Sequence, residues 1–240
     1  MDIRETQCNS WSAFKNYIVQ HCLENGFLKR GRFLFRGHRD SSWNLKPTFD
    51  REFEHIDPAK KSETAELLLT EFKHQMEIAG ENIGKWTEPK LTALAQHHGV
   101  PTRLLDWTES PYIAAFFAFS EALSRGEIRG NIAVWILDAA SHIWNGSSGV
   151  SIETPELTGN QRLINQQGRF TLSRTPFGSL EEFHAACIGS EPALTRVIVP
   201  RREARLAISD LDLMGIDHHH LFPGFDGAAK ATCLRVALKL

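Results

Sequence analysis

The sequence predicts a single mixed α+β domain over residues 1–240, and three observations carry that prediction. Stretches with apolar residues at helical spacing alternate with short apolar runs of strand length. No internal repeat and no linker-like segment divides them. With 240 residues, 42% hydrophobic and 23% charged, the chain is long enough to bury most of the surface it exposes when unfolded.

The elements follow in order. Trp11, Phe14, Ile18 and Cys22 form one face at helical spacing, Ser10 stands where an N-cap belongs, and Gly26 suits the stop. Residues 32–36 read as a strand ending on Arg36, after which Gly37 lets the chain turn. Past a loop with Pro47, Asp57-Pro58 and Ser62 are both helix starts, and Leu68, Phe72, Met76 and Ala79 keep the helical period to about residue 79. A shorter helix runs from Thr87 to Gly99. "TRLLDW", residues 102–107, reads as a short strand, and Ser110-Pro111 opens a helix to about Arg125. "NIAVWILD", residues 131–138, is a nearly continuous apolar run that suits a buried strand. Residues 141–160, rich in Gly, Ser, Thr and Pro, read as a loop. "QRLINQQGRFTLS" and "LTRVIVP" read as later strands, and "RREARLAISDLDLMG" and the tail "DGAAKATCLRVALKL" as helices.

Composition excludes several classes. The net charge of -2 lacks the basic excess of a general polyanion binder. Two local clusters survive that average: Arg30, Arg32, Arg36 and Arg39, then Arg201, Arg202 and Arg205. Each is either a phosphate contact or a solvated basic face. Cys8, Cys22, Cys187 and Cys233 are widely spaced with no C-x-x-C, which suggests neither a zinc site nor a disulfide framework and fits a reducing cytoplasm. The N-terminus has no apolar signal core, and no run approaches the roughly 20 apolar residues of a membrane span. The expectation is a cytoplasmic protein with no membrane partner.

Four stretches carry candidate chemistry. "AQHHGVPTRLLDWTESP" joins a strand to a helix N-terminus, where free N–H groups and the helix dipole favour an anion. Asp106 and Thr108 lie in its turn, Arg103 precedes them, and His97 and His98 end the previous helix. The bland alternative is that Asp106 or Thr108 caps the helix and Arg103 pairs with Asp106. Arg36 at its strand end either holds a phosphate or carboxylate bidentately or forms a buried ion pair. In "NQQGRFTLS" two adjacent Gln on a strand point to opposite faces, so only one can reach a site. In "DHHHLFPG" a strand would put His218 and His220 on one face, but no Cys and no carboxylate pattern completes a metal site, so no metal is expected.

These blocks together resemble a known family. "FLFRGHRDSSWNLKPTFDR", "LAQHHGVPTRLLDWTESPYIAAFFAF", "NQQGRFTL" and "LFPGFDGAAK" are similar to the FRG domain, named for its Phe-Arg-Gly triplet, here Phe35, Arg36 and Gly37. Trp43, Leu45 and Pro47 match the positions that follow. Gln96, His97, Gly99 and the run from Pro101 to Thr108 match the central signature. Gln167, Gly168 and Phe170 match the third block, and Leu221, Phe222, Pro223 and Gly227 the last. The resemblance spans most of the chain, so residues 1–240 are expected to be one FRG-type domain.

The family occurs in bacterial and phage-related proteins, sometimes near genes of defence or toxin type. Its block order looks like a remote version of the ADP-ribosyltransferase fold, which implies two small packed β-sheets forming a cleft with flanking helices. By that analogy Arg36, Asp106 and Gln167 are the catalytic positions, and His97, Thr102, Arg103, Trp107 and Thr108 bind substrate. NAD would be the substrate and a protein or nucleic acid the acceptor, in a toxin or antiphage effector with a neutralising partner or a phage protein as counterpart. One departure matters. NAD-using transferases usually carry a Glu in the third block, and this block reads Gln166-Gln167-Gly168. Losing such an electrostatic contribution typically costs about 3 kcal/mol. Either Asp106 supplies the charge, or the chemistry differs, or the cleft binds a nucleotide, nucleic acid or phage protein without turnover.

Overall fold

The computed structural model describes residues 3–24, 26–83, 86–154, 161–187 and 192–239. Among them run nine strands and ten α-helices. β1 (Arg4–Gln7) and α1 (Trp11–Cys22) are followed by the short strands β2 (Leu23–Glu24) and β3 (Phe27–Leu28). Next come β4 (Phe33–His38), α2 (Thr48–Glu52), α3 (Lys61–Ile78), α4 (Glu88–His97), β5 (Leu104–Thr108) and α5 (Pro111–Ser124). β6 (Asn131–Asp138), β7 (Val150–Glu153), α6 (Gln161–Asn165), β8 (Gly168–Ser173) and α7 (Leu180–Ala186) follow. β9 (Leu194–Pro200), α8 (Ala204–Leu213), α9 (His218–Leu221) and α10 (Phe225–Lys239) complete the order. Among the described residues no helix is long and apolar enough to cross a membrane.

The mixed α+β class holds, but its sheets are joined. Seven strands form one sheet in the order β1-β9-β6-β4-β5-β8-β7, with β2–β3 apart. Only β1 and β9 run parallel within it. β4 pairs with β6 all along its length, from Phe33 opposite Asp138 to His38 opposite Ala133, and β5 pairs with β8 from Leu104 to Thr108. Between β4 and β5 the register contains one pair, Phe35 and Thr108. A four-strand half and a three-strand half therefore meet at a single seam. Two separate packed sheets are not formed, because that one pair keeps the ladder continuous.

Helices cover both faces. On one, Trp11, Phe14, Phe116, Phe119, Ile132, Val134 and Val197 form a core under α1, α5 and α8. On the other, Leu34, Leu105, Trp107, Trp135, Trp144 and Phe183 pack together. α5 is buried along most of its length and starts as its sequence requires: Ser110 Oγ accepts from the Ile113 N–H, and Pro111 takes the first helical position.

Gly37 does not turn the chain, since β4 continues through it to His38. Its missing side chain has a different use. A Cβ there would lie 1.9 Å from the Ala114 carbonyl oxygen, so only glycine lets α5 pack this closely on β4.

Other expectations shift for local reasons. α1 stops at Cys22, and Gly26, at φ +81°, lies between β2 and β3. Residues 141–160 contain β7, whose Val150-Ser151-Ile152-Glu153 alternation serves an edge strand; residues 155–160 lie outside the described ones. Residues 161–165 are helical, so the strand expected from residue 161 begins at Gly168. "DHHHL" is a capped helical turn, with Asp217 accepting from the His220 N–H, so His218 and His220 do not share a strand face.

Candidate functional site

The seam determines what can assemble beside it. Past the Phe35–Thr108 pair the two half-sheets separate, and the Asp106 carbonyl gains no β4 partner. Arg36 supplies one: its Nη1 donates to that carbonyl at 2.6 Å and stands 3.7 Å from Asp106 Oδ2. Behind it, Arg36 Nε donates to His38 Nε2 at 3.2 Å, and His38 Nδ1 donates to the Trp43 carbonyl at 3.3 Å. Those bonds require a neutral imidazole with its proton on Nδ1. Burial, and then the Arg36 charge, hold it neutral by lowering its pKa to about 3. Burial lowers the pKa of Arg36 as well, and Asp106 opposes that shift.

Asp106 is held from a second side. Gln96, in the last turn of α4, donates from Nε2 to Asp106 Oδ1 at 2.7 Å. Thr102 Oγ1 donates to Gln96 Oε1 at 2.8 Å, which fixes the amide orientation. The chain Thr102–Gln96–Asp106–Arg36–His38 leaves the carboxylate oriented but 61% exposed to the cleft.

That cleft has a volume of about 700 Å³, within the usual range for a small-molecule site. Arg36, Gln96, His97 and Asp106 line it, with ring surface from Trp86, Phe117, Phe170 and Phe222. A second acid enters from β7. Asp106 stands opposite Phe170, and Phe170 opposite Glu153, so the three side chains share one face of the sheet. The two carboxylates are thus two strands apart, roughly 10 Å between backbones. Ser151 Oγ donates to Glu153 Oε1 at 2.6 Å.

The expected site residues divide. Arg36, Asp106 and His97 come together in the cleft. Thr108 lines it, but its hydroxyl accepts from the Ser110 N–H and is occupied with the turn. Together with the Ser110 cap, this uses polar groups from which a helix N-terminal anion site would be built. Thr102 is buried and acts through Gln96 rather than on a ligand.

Three assignments are corrected. Gln167 does not line the cleft. It is an exposed turn residue at φ 49°, and its neighbour Gln166 lines the wall instead, donating to the Leu221 carbonyl at 3.0 Å. Trp107 contributes its strand to the wall, but its indole is buried and donates to Thr171 Oγ1 at 3.0 Å. Arg103 is 3% exposed and structural, donating to both oxygens of Asp50 at 3.1 and 3.2 Å and to the carbonyls of Thr175 and Phe177. The second basic cluster is also structural in part: Arg201 is buried, donating to the carbonyls of Arg39 and Arg129 and to Asp40.

Glu153 and His38 are the residues that sequence reasoning passed over. The period-2 alternation of β7 was the available signal for Glu153. For His38 none existed, since its role depends on a bond to the side chain two residues earlier. Among the described residues no group of three or more His, Cys, Asp or Glu is placed to hold a metal.

Neither curated proteins nor solved structures yield a match to the chain. A family model does match, over residues 31–127, and the blocks around Gln167 and Phe222 lie outside it. That stretch contains β4, α4, β5 and α5, and with them Arg36, His38, Gln96, His97 and Asp106. The segment that builds the seam and orients its charges is the part of the chain that matches the FRG domain model.

Proposed function

We propose that the cleft binds NAD and breaks its nicotinamide–ribose bond, passing the ADP-ribosyl group to an acceptor or to water. The observation that carries this reading is the Arg36–Asp106 pair at the open end of the seam, with its carboxylate held on one side by Gln96 and left accessible on the other.

The chemistry asks for negative charge beside a developing cation. When the C1′–N bond breaks, the bonding pair leaves with neutral nicotinamide and the ribose becomes an oxocarbenium ion. Asp106 faces that cation, and its orientation is fixed before the reaction, which is the condition for electrostatic stabilisation. Arg36 positions Asp106 through its carbonyl, and neutral His38 positions Arg36. The attacking water or acceptor hydroxyl forms the new bond to C1′ and surrenders its proton to a carboxylate. Glu153, on the same sheet face, leaves room for that nucleophile between itself and Asp106. It also answers the missing third-block Glu: the acid comes from β7, not from the turn before β8.

Purified protein incubated with NAD is the test, with nicotinamide release followed by chromatography in the presence and absence of a cell extract that supplies protein and nucleic-acid acceptors. Asp106→Asn is expected to lower release by roughly 10²–10³-fold, and Arg36→Ala to lower it similarly. Glu153→Gln is expected to slow release less than Asp106→Asn. No release under either condition removes the reading. An NAD-depleting or acceptor-modifying activity would fit a toxin or antiphage effector.

The exposure of Asp106 favours a second reading. At 61% exposure its charge acts through a largely aqueous dielectric, where its hold on a cation is weak. In that case the cleft recognises a nucleotide without cleaving it, and calorimetry shows binding with NAD recovered intact.

A further inference from the structure

We infer that the edge of the cleft carries a phosphate subsite made by Arg162 and Lys230 over the ring of Phe222. The inference rests on the nucleotide reading for its substrate class, but its geometry is independent of the seam. Arg162 comes from α6 and Lys230 from α10. Their charged groups stand 4.8 and 4.5 Å from the same Phe222 ring centroid, and all three residues line the cleft. Two like charges gathered on one ring repel each other, and the ring face offsets only part of that repulsion. Among the described residues neither cation has an ion-pair partner, whereas Arg32, Arg36, Arg39, Arg103, Arg174 and Arg201 each face a carboxylate. A bound phosphate would supply the missing negative charge.

Local packing brings both cations to the Phe222 ring. The Asn165 and Gln166 amides donate to the carbonyls of His220 and Leu221, tying α6 to the α9 turn beside Phe222. Gly227 then brings α10 in. A Cβ there would lie 1.9 Å from the Phe222 carbonyl oxygen and 2.8 Å from that of His218. Without a side chain at that position, α10 starts against Phe222, and Lys230, one turn on, reaches the ring. The "LFPGFDG" block thus has a physical role.

Arg36 is already engaged by Asp106 and His38, so it is not the phosphate clamp that its strand-end position suggests. The cleft is divided: the oriented carboxylate addresses the ribose, and Arg162 with Lys230 addresses the phosphates.

Calorimetry of the full chain with sodium pyrophosphate, ADP-ribose and adenosine separates the possibilities. The expected result is that pyrophosphate and ADP-ribose bind, and that Arg162→Gln and Lys230→Gln each weaken them on the order of tenfold. Raising salt also weakens them, while any adenosine binding is unchanged in the double variant. Both cations are exposed, so these variants fold as the parent does, and circular dichroism checks it. The subsite is rejected if pyrophosphate and ADP-ribose fail to bind, or bind the double variant as tightly as the parent. The NAD-cleavage reading fails by a different observation, the absence of nicotinamide release. Pyrophosphate binding that depends on the pair upholds the subsite even then.

Discussion

Two arginine–aspartate pairs, each drawing one residue from the central signature, show how the same charges serve different ends. Arg103 meets Asp50 in a closed setting, where Asp50 is fully buried, Lys61 adds a second cation at 3.0 Å, and two carbonyls take further guanidinium donors. Arg36 meets Asp106 in an open one, at 3.7 Å, through one nitrogen and with the carboxylate still exposed. Arg103 and Asp106 are three residues apart, so on an extended chain they project to opposite faces. The first pair is satisfied by the protein alone. The second leaves capacity for a ligand.

Breaking the closed pair is expected to have the largest effect on stability. Asp50→Ala leaves Arg103 and Lys61 buried without a counter-charge and should cost about 3–5 kcal/mol, measured by denaturant unfolding. A loss under 1 kcal/mol would mean the two settings are not as distinct as the geometry implies. Gly37→Ala comes next. It forces α5 away from β4, and overpacking of this kind costs about 1–3 kcal/mol. Because α5 packs against the strand that carries Arg36, nicotinamide release should fall with it.

The pH dependence sharpens the open side. His38 titrates near its usual 6.5 when unfolded and at about 3 when folded. Between those values the unfolded chain binds the proton and the folded chain does not. Its contribution to stability is therefore complete above pH 6.5 and is lost progressively as pH falls towards 3. His218, lowered to about 4, acts in the same direction. His38→Gln should remove up to about 1 kcal/mol per pH unit from the slope across that window, as seen in urea midpoints at pH 4.5 and 6.5. An unchanged slope would show that His38 is not the neutral support of Arg36. The smallest stability effect is expected for Asp106→Asn, within about 0.5 kcal/mol, because the side chain is mostly exposed. The same change should affect nicotinamide release most, the reverse of Asp50→Ala.

Much of this was legible in the sequence. The Trp11–Cys22 helical face, the Ser110-Pro111 helix start and the buried run 131–138 follow from periodicity and capping, which are local signals. Motif order and resemblance expect Arg36, Asp106 and Gln167 to converge; Arg36 and Asp106 do so beside His97, and Gln167 does not. What could not be read depends on partners distant in sequence. Arg103 is separated from Asp50 by 53 residues, so its burial left no mark in "PTRLLDW". Gln166 and Gln167 sit in a turn after α6, where the two-residue alternation of a strand does not apply. β7 lies in a stretch whose Gly and Ser content masks four alternating residues.

The seam between β4 and β5 has a consequence for how substitutions combine. A ladder paired along its whole length makes neighbouring strands share strain, so changes on them interact. Here the backbone ladder joins the halves at Phe35–Thr108, and the Arg36 guanidinium and the Leu34–Leu105–Trp107–Trp135 packing add side-chain contacts across the seam. Ile132 in one half and Leu172 in the other should therefore respond additively to truncation, whereas Phe35, Arg36 and Thr108 should show coupling energies with both. The molecule can thus vary the wall that carries Glu153 and Phe170 while leaving the support of Arg36 unaltered.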